Sequence, residues 1–327
     1  AGLTSSINYN GSVCLTATSQ LTANRTGGTS PFTYAWTGPS GFTGNAQTVS
    51  ITQSGNYYLT ITDATGCLST SNGFVYSQFI PSATALQTTV CEGQTVQLSA
   101  SGTSATAYQW SSNAGNATTS TVTVTPALPS STYTVTVTNN VGCTGTANST
   151  ISVNAKPTVS ITGSNSVCVG ATTQLSPTTG GTWTSSDGSK ATVTNSGLVT
   201  ALSSGTVNFT FTSSSTGCVS NPTGNVTINA TPNAGVDPGS LDCFESDAVT
   251  MGATGSGTWT VGAGSAGTAT IVSPTSPTST VNNFSTFGNY YMVWTNAQGC
   301  RDTAKVMVND ACDCNISNNT ITTPPTS

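Results

Sequence analysis

The sequence predicts an all-β chain: a tandem array of four antiparallel β-sandwich modules with one disulfide per module. Three observations carry that prediction. Val, Ile, Leu, Tyr and Trp fall in short runs that alternate with Thr, Ser and Asn, as in Thr-Val-Thr-Val-Thr at 121–125 and Tyr-Thr-Val-Thr-Val-Thr at 133–138. Such runs are the pattern of half-buried strands. No stretch carries apolar residues at i, i+3, i+4 and i+7 over several turns, so no helix is expected. Finally, cysteines recur at a fixed period, which marks a repeat of one folded unit.

Cysteines stand at 14, 67, 91, 143, 168, 218, 243, 300, 312 and 314. Cys14, Cys91 and Cys168 each follow Val, and with Cys243 they form a first series spaced by 77, 77 and 75 residues. Cys67, Cys143, Cys218 and Cys300 each follow Gly and form a second series. Pairing each first-series cysteine with the next cysteine in sequence predicts four bridges: Cys14 with Cys67, Cys91 with Cys143, Cys168 with Cys218, and Cys243 with Cys300. Each would close a loop of 50–57 residues, adding roughly 4 kcal/mol in the chain-entropy model. Modules of about 76 residues have thin cores, so that increment matters. Bridges also imply an oxidising compartment, and the chain is expected to be extracellular or on a cell surface. Zinc is the rival use of cysteines, but the chain has no histidine and no Cys-x-x-Cys.

The second half of each unit is one long strand and a turn. Gly55-Asn-Tyr57-Tyr-Leu59-Thr-Ile61 leads to Gly66-Cys67, and its counterparts run from Tyr133 to Cys143, Val207 to Cys218 and Tyr290 to Cys300. Alternating apolar residues share one face, so Tyr57, Tyr133, Val207 and Tyr290 are expected in the core. The first half of each unit supplies one tryptophan: Trp36, Trp110, Trp183 and Trp259. An order Cys…Trp…Tyr…Cys points to an immunoglobulin-like sandwich, in which a buried Trp packs near the inter-sheet bridge. The register differs, because Cys91 precedes the strand holding Leu98 and Cys143 lies beyond the strand holding Val135. Leu98 and Val135 occupy the places of the buried cystine, and the predicted bridge becomes a clamp at one end of the sandwich. The four tryptophans are read as core rather than as a sugar-binding platform.

The expected modules span 1–79, 80–155, 156–230 and 231–311, with 312–327 a linker or the start of a further module. Pro81, Pro157 and Pro232 fall near the joints, which favours a semi-rigid string. Strands of about ten residues with their loops make each module roughly 35–45 Å long.

Charge excludes several functions. Only 5% of residues are charged, with a net charge of −5, so a stripe that neutralises nucleic-acid phosphates cannot form. No apolar run reaches the roughly 18 residues needed for a membrane-spanning helix. Without an initiator Met or signal peptide, the chain is expected to be a mature product or an excerpt. Without histidine, Ser-His-Asp and Cys-His catalysis are excluded and no enzyme is expected. No cofactor is expected, with calcium held by Asp237, Asp242 and Asp310 as a minor alternative, since carboxylates cluster late in the chain. Core lysines for isopeptide bonds are absent as a repeated feature. Cys312 and Cys314 break the period and stay unassigned.

Residues 27–67, Gly-Gly-Thr-Ser-Pro-Phe-Thr-Tyr-Ala-Trp through Gly-Asn-Tyr-Tyr-Leu-Thr-Ile-Thr-Asp-Ala-Thr-Gly-Cys, resemble the SprB-type repeats of gliding-motility adhesins in Bacteroidota. Residues 184–207, with Thr-Ser-Ser-Asp-Gly-Ser-Lys-Ala-Thr-Val and Ser-Gly-Leu-Val-Thr-Ala-Leu-Ser-Ser-Gly-Thr-Val, resemble a bacterial Ig-like group 2 module. Residues 233–310, opening Asn-Ala-Gly-Val-Asp, are similar to polycystic-kidney-disease-type modules. These resemblances imply a large cell-surface fibre exported by the type IX route, and no catalytic residue. Asp302-Thr303-Ala304 resembles the O-glycosylation motif of Bacteroidota, making Thr303 a candidate acceptor. The expected function is a non-enzymatic structural and adhesive segment whose partners are other copies or modules of the same fibre, or surface glycans. One alternative is a filament subunit that pairs by edge strands; another is a carbohydrate-binding appendage of a secreted hydrolase.

Overall fold

The computed structural model describes residues 2–9, 13–16, 19–241 and 248–309. Among them every regular element is a strand, apart from the short 3-10 turns Pro39–Gly41 and Ser112–Ala114. The chain divides into two units, Ala1–Ala155 and Lys156–Ser327, and each holds two sandwiches.

In the first unit, the leading sandwich faces Thr4–Tyr9, Gln20–Thr26 and Thr48–Ser50 against a second sheet. That sheet runs Thr43–Gly44, Thr33–Thr37, Gly55–Thr62, Leu68–Val75. The next sandwich sets Thr121–Val124, Val96–Ser101 and Ser82–Ala85 against Ala105–Trp110, Ser130–Asn139, Thr144–Asn154 and Thr89–Cys91. Neighbours are antiparallel except the last: Thr89–Cys91 runs parallel to the end of Thr144–Asn154, with Cys91 opposite Asn154. Cys14 makes the matching parallel bridge to Tyr76.

The second unit repeats the scheme. Ser166–Cys168 runs parallel to Val226–Asn229, with Cys168 opposite Asn229, and Gly239–Leu241 runs parallel to Arg301–Val308. In its leading sandwich the long strand is split at Asn208. Gly205–Val207 pairs with Val226–Asn229, whereas Phe209–Ser213 pairs with Gly181–Ser185.

Side-chain alternation builds the cores. Tyr57, Leu59 and Ile61 are buried while Tyr58 between them is half exposed, because successive residues of a strand face opposite ways. Four separate clusters of buried residues result, each drawing on both sheets of a sandwich. Trp36, Trp110, Trp183 and Trp259 lie inside them, as do Tyr57, Tyr133, Val207 and Tyr290. Each indole N–H donates to a backbone carbonyl: Ala46 for Trp36, Thr119 for Trp110, Pro177 for Trp183 and Pro277 for Trp259. A buried donor left unpaired costs about 1–3 kcal/mol, so these bonds are what let an indole sit in the core. Tyr57 and Tyr290 donate their hydroxyls to the carbonyls four residues upstream, Gln53 and Thr286, the tyrosine corner of immunoglobulin-like sandwiches. The positions of the antibody cystine hold fully buried apolar residues instead, Leu98 with Val135 and Leu175 with Phe209.

The predicted disulfides need correction. Cys14 bonds Cys143, and Cys168 bonds Cys300, each with Cα atoms 5.6 Å apart. Cys91 and Cys218 are also disulfide-bonded. Cys67 is free and exposed. The pairs Cys14 with Cys67, Cys91 with Cys143, Cys168 with Cys218 and Cys243 with Cys300 therefore do not form. Strand direction is the reason. The first-series cysteine lies beside the end of its module's last strand, where the chain leaves the module. The second-series cysteine follows the long strand, at the end where the chain arrives. Ser130 pairs with Ser152 near Cys91, whereas Thr138 pairs with Thr144 beside Cys143. The ten-residue strand Ser130–Asn139 lies between them, a span of about 30 Å at roughly 3.3 Å per residue. A disulfide allows no more than about 7 Å between Cα atoms. The clamp is real but it joins consecutive modules instead of closing one.

Candidate functional site: the stapled junctions

Each second-series cysteine is presented by a side-chain-supported turn. Asn139 Oδ1 accepts the N–H groups of Val141 (3.1 Å) and Cys143 (2.8 Å), and its own N–H donates to the Cys143 carbonyl at 2.9 Å. Asn296 does the same for Gln298 (3.1 Å) and Cys300 (2.9 Å), with its N–H on the Cys300 carbonyl at 3.0 Å. Asp63 Oδ1 accepts from Thr65 (2.9 Å) and Cys67 (3.0 Å), again with its N–H on the cysteine carbonyl at 3.0 Å. Short Asn and Asp side chains favour such turns because they reach the backbone two residues on. The glycine before each cysteine is left-handed, at φ 82° for Gly66, 85° for Gly142 and 81° for Gly299, a conformation that a Cβ would strain. Hydrogen bonds from the Thr65 hydroxyl and the Thr29 amide hold the Asp63 carboxyl below its ordinary range.

The third sandwich departs from this design. Ser213 replaces the Asx residue; its N–H donates to the Cys218 carbonyl at 3.0 Å, while Thr216 Oγ1 accepts from Cys218 N at 3.3 Å. Bonded members of the second series are shielded: Cys143, Cys218 and Cys300 are nearly inaccessible.

The junction in the first unit is tightly fitted. Val13, Cys14 and Phe79 join the hydrophobic cluster of the following sandwich. A Cβ at Gly145 would lie 2.5 Å from both the Phe79 carbonyl oxygen and Pro81 Cδ, and one at Gly102 would lie 2.4 Å from Phe79 Cζ. Both glycines are thus there to admit the connecting chain. A hollow of about 440 Å³ lies beside the connection, lined by Tyr76, Gln78, Ile80, Ser104, Asn139 and Val141 among others. In the second unit the Asn296 amide donates to the Ala230 carbonyl at 3.2 Å, and Asp302 Oδ2 accepts from Ala234 N at 2.8 Å. Phe79, Gly102, Gly145, Asn296 and Asp302 are joint residues; of these only Asp302 was expected at a site, and there only beside the candidate acceptor Thr303. Gly145, inside the strand Thr144–Asn154, was the available signal.

The remaining expected sites are dispersed. Asp237 Oδ1 accepts from Lys305 N at 2.8 Å, while Asp242 and Asp310 lie outside the described residues. Among those described, no three His, Cys, Asp or Glu come together in a way that could hold a metal. Cys243, Cys312 and Cys314, and the 312–327 segment, lie outside the described residues. Thr303 is exposed on the outer face of Arg301–Val308. No helix among the described residues is long and apolar enough to cross a membrane.

A family model of the bacterial Ig-like domain (group 2) matches residues 147–221. No curated protein matches the chain. Similar solved structures include the N-terminal eight Ig domains of Down Syndrome Cell Adhesion Molecule, at 14% identity and a TM-score of 0.24, over 94% of this chain and 48% of that one. The three N-terminal domains of the highly immunogenic outer capsid protein of bacteriophage RB49 match at 15% identity and 0.28, over 94% and 98%. Invasin, a bacterial integrin-binding protein, matches at 12% and 0.28, over 94% and 80%. The chain spans about half the length of the first of these. The molecule is an all-β chain of tandem immunoglobulin-like modules.

Proposed function

We propose that the chain is a non-enzymatic structural and adhesive segment of an extracellular surface fibre, with modules at 1–79, 80–155, 156–230 and 231–311. The observation that carries this reading is the pair of bridges that cross from one module to the next, Cys14–Cys143 and Cys168–Cys300. A bridge inside a module stabilises a fold; a bridge across a joint keeps two modules in register when the chain is pulled. The SprB-type resemblance of 27–67 and the group 2 match support a surface fibre of the gliding-adhesin kind, in which Thr303 would carry a glycan. A glycan-contacting face is a second reading, because Tyr58 and Phe74 point outward from neighbouring strands, paired with Asn72 and Asn56.

The test is adhesion of beads coated with the purified chain to surfaces bearing bacterial polysaccharide or host-matrix protein. Retention without any turnover of the surface polymer is expected. Release of soluble fragments from the polymer would overturn the non-enzymatic reading. Loss of retention on polysaccharide alone in the Tyr58→Ala, Phe74→Ala variant supports the glycan face, and equal retention removes it.

A further inference from the structure

We propose that the hollow at the joint between residues 1–79 and 80–155 binds a neutral oligosaccharide. The inference rests on the surface-glycan reading given above and goes beyond it, because it places a sugar at the joint and states its charge class. Both modules belong to the first unit, Ala1–Ala155, so the site lies within one body. Ligand pockets favour the seams between domains, and about 300–1,000 Å³ is their usual size. Two hollows meet at this seam. One of about 440 Å³ is lined by Tyr76, Gln78, Ser104 and Asn140 among others. The second, of about 510 Å³, shares Gln78, Phe79 and Ile80 with the first. A groove divided by one short ridge suits consecutive units of a chain better than a single sugar ring.

The lining fits a ligand rich in hydroxyls. Gln78 and Asn140 are exposed, and their side-chain amides are bonded to no other described residue. An amide carries donors and an acceptor together, so it can bridge neighbouring sugar hydroxyls. Ser104 adds a hydroxyl, and its backbone is held at φ 53°. Non-glycine residues adopt that left-handed conformation rarely, and it clusters at ligand sites. Tyr76 supplies a flat apolar surface with a polar tip. It is 38% exposed and is braced by Phe74, with ring centroids 4.9 Å apart and planes inclined at 69°. An aromatic face of this kind packs against the C–H face of a sugar ring.

Charge and backbone exclude other occupants. No lining side chain is charged, and the one basic residue in 1–155 is Arg25, which sits 3.8 Å over the Phe32 ring instead. An acidic polysaccharide or a nucleic acid therefore meets no counter-charge. A peptide added as a strand needs unpaired main chain, and here the main chain is committed. Tyr76 N–H donates to the Val13 carbonyl, Leu15 N–H to the Tyr76 carbonyl and Asn140 N–H to the Ser104 carbonyl, each at 2.9 Å. These bonds and the Cys14–Cys143 bridge fix the walls before a ligand arrives, which lowers the ordering cost of binding.

The experiment is titration calorimetry of the full chain with cellohexaose, mannohexaose and xylohexaose as neutral probes and hexagalacturonic acid as the charged control. At least one neutral probe is expected to bind, with an affinity that is the same in low and high salt. Binding of none of them, an affinity that falls with salt, or tighter binding of the galacturonate overturns the proposal. The double variant Gln78→Ala, Asn140→Ala should weaken the bound probe about tenfold, the loss expected for polar contacts to a neutral ligand. Thr103→Trp, which places an indole in the first hollow, should abolish binding. All three positions are exposed, and an intact Cys14–Cys143 peptide pair verifies folding. Parent affinity in either variant overturns the location. Bead retention is read separately: oligosaccharide binding without retention on any surface defeats the adhesive reading alone, and retention without oligosaccharide binding defeats the joint site alone.

Discussion

Asp63 shows how a single side chain organises a turn, and why its chemistry matters at low pH. Equivalent turns use Asn139 and Asn296, whose amides do not titrate, whereas Asp63 accepts from Thr29, Thr65 and Cys67 as a carboxylate. These bonds favour the charged form, so the folded carboxyl titrates below the unfolded one, near about 3.9. The contribution is therefore complete above that value and is lost as pH falls through the lower, folded value. Hydrogen exchange of the 55–67 segment should stay flat from neutral pH to about pH 4 and lose protection below. Asp63→Asn, which copies the two sister turns, should flatten the acid limb; an unchanged acid limb would refute the assignment. The carboxylate's role was not legible in sequence, where Asp63 and Asn139 read alike as turn residues.

At the scale of elements, the long strand and its tryptophan partner were legible, and the cysteine partnership was not. Alternation of Tyr133, Val135 and Val137 specifies a buried face whatever the rest of the chain does, because a strand has a period of two. Cysteine spacing is weaker information. A period near 76 satisfies Cys14 with Cys67 and Cys14 with Cys143 equally well, since both keep the series in step. What separates them is the parallel pairing of Thr89–Cys91 with the last strand, a contact across more than sixty residues that no local pattern announces. The Ig-like topology did contain the hint: the strands holding Leu98 and Val135 start from the same end of the sandwich. A cysteine before the first and a cysteine after the second must then lie at opposite ends.

The connection between modules behaves as an element too. Gly145→Ala would press a Cβ against backbone at Phe79 and the Pro81 ring, and neither can swing aside as a flexible side chain would. Overpacking of this kind costs about 1–3 kcal/mol. We expect the cost to fall on the joint, seen as faster proteolysis near Ile80, which is 77% exposed, with the Trp110 core unchanged. Cleavage at the parent rate would show that the connection has room to shift.

For the whole molecule, the consequence of the staple is cooperativity. Cys14–Cys143 closes a stretch of 129 residues containing most of two cores, and the chain-entropy model assigns such a loop roughly 5 kcal/mol at most. More important than the increment is where it acts. A bridge within one module would raise that module's stability and leave its neighbour alone. A bridge across the joint penalises any state in which one module opens while the other stays folded, because the opened chain remains tethered at both ends of its neighbour. Amides on Leu59 and Val135, each fully buried in a different sandwich, should therefore exchange through a common opening in the oxidised chain. In the Cys14→Ser, Cys143→Ser variant the two should separate, with each module opening at its own free energy and the weaker one exchanging faster. Native-state hydrogen exchange across a denaturant series measures this directly: converging isotherms in the parent and diverging ones in the variant are expected. Divergence already present in the parent would mean that the bridge joins the two modules without coupling them, and each would then open as an independent unit.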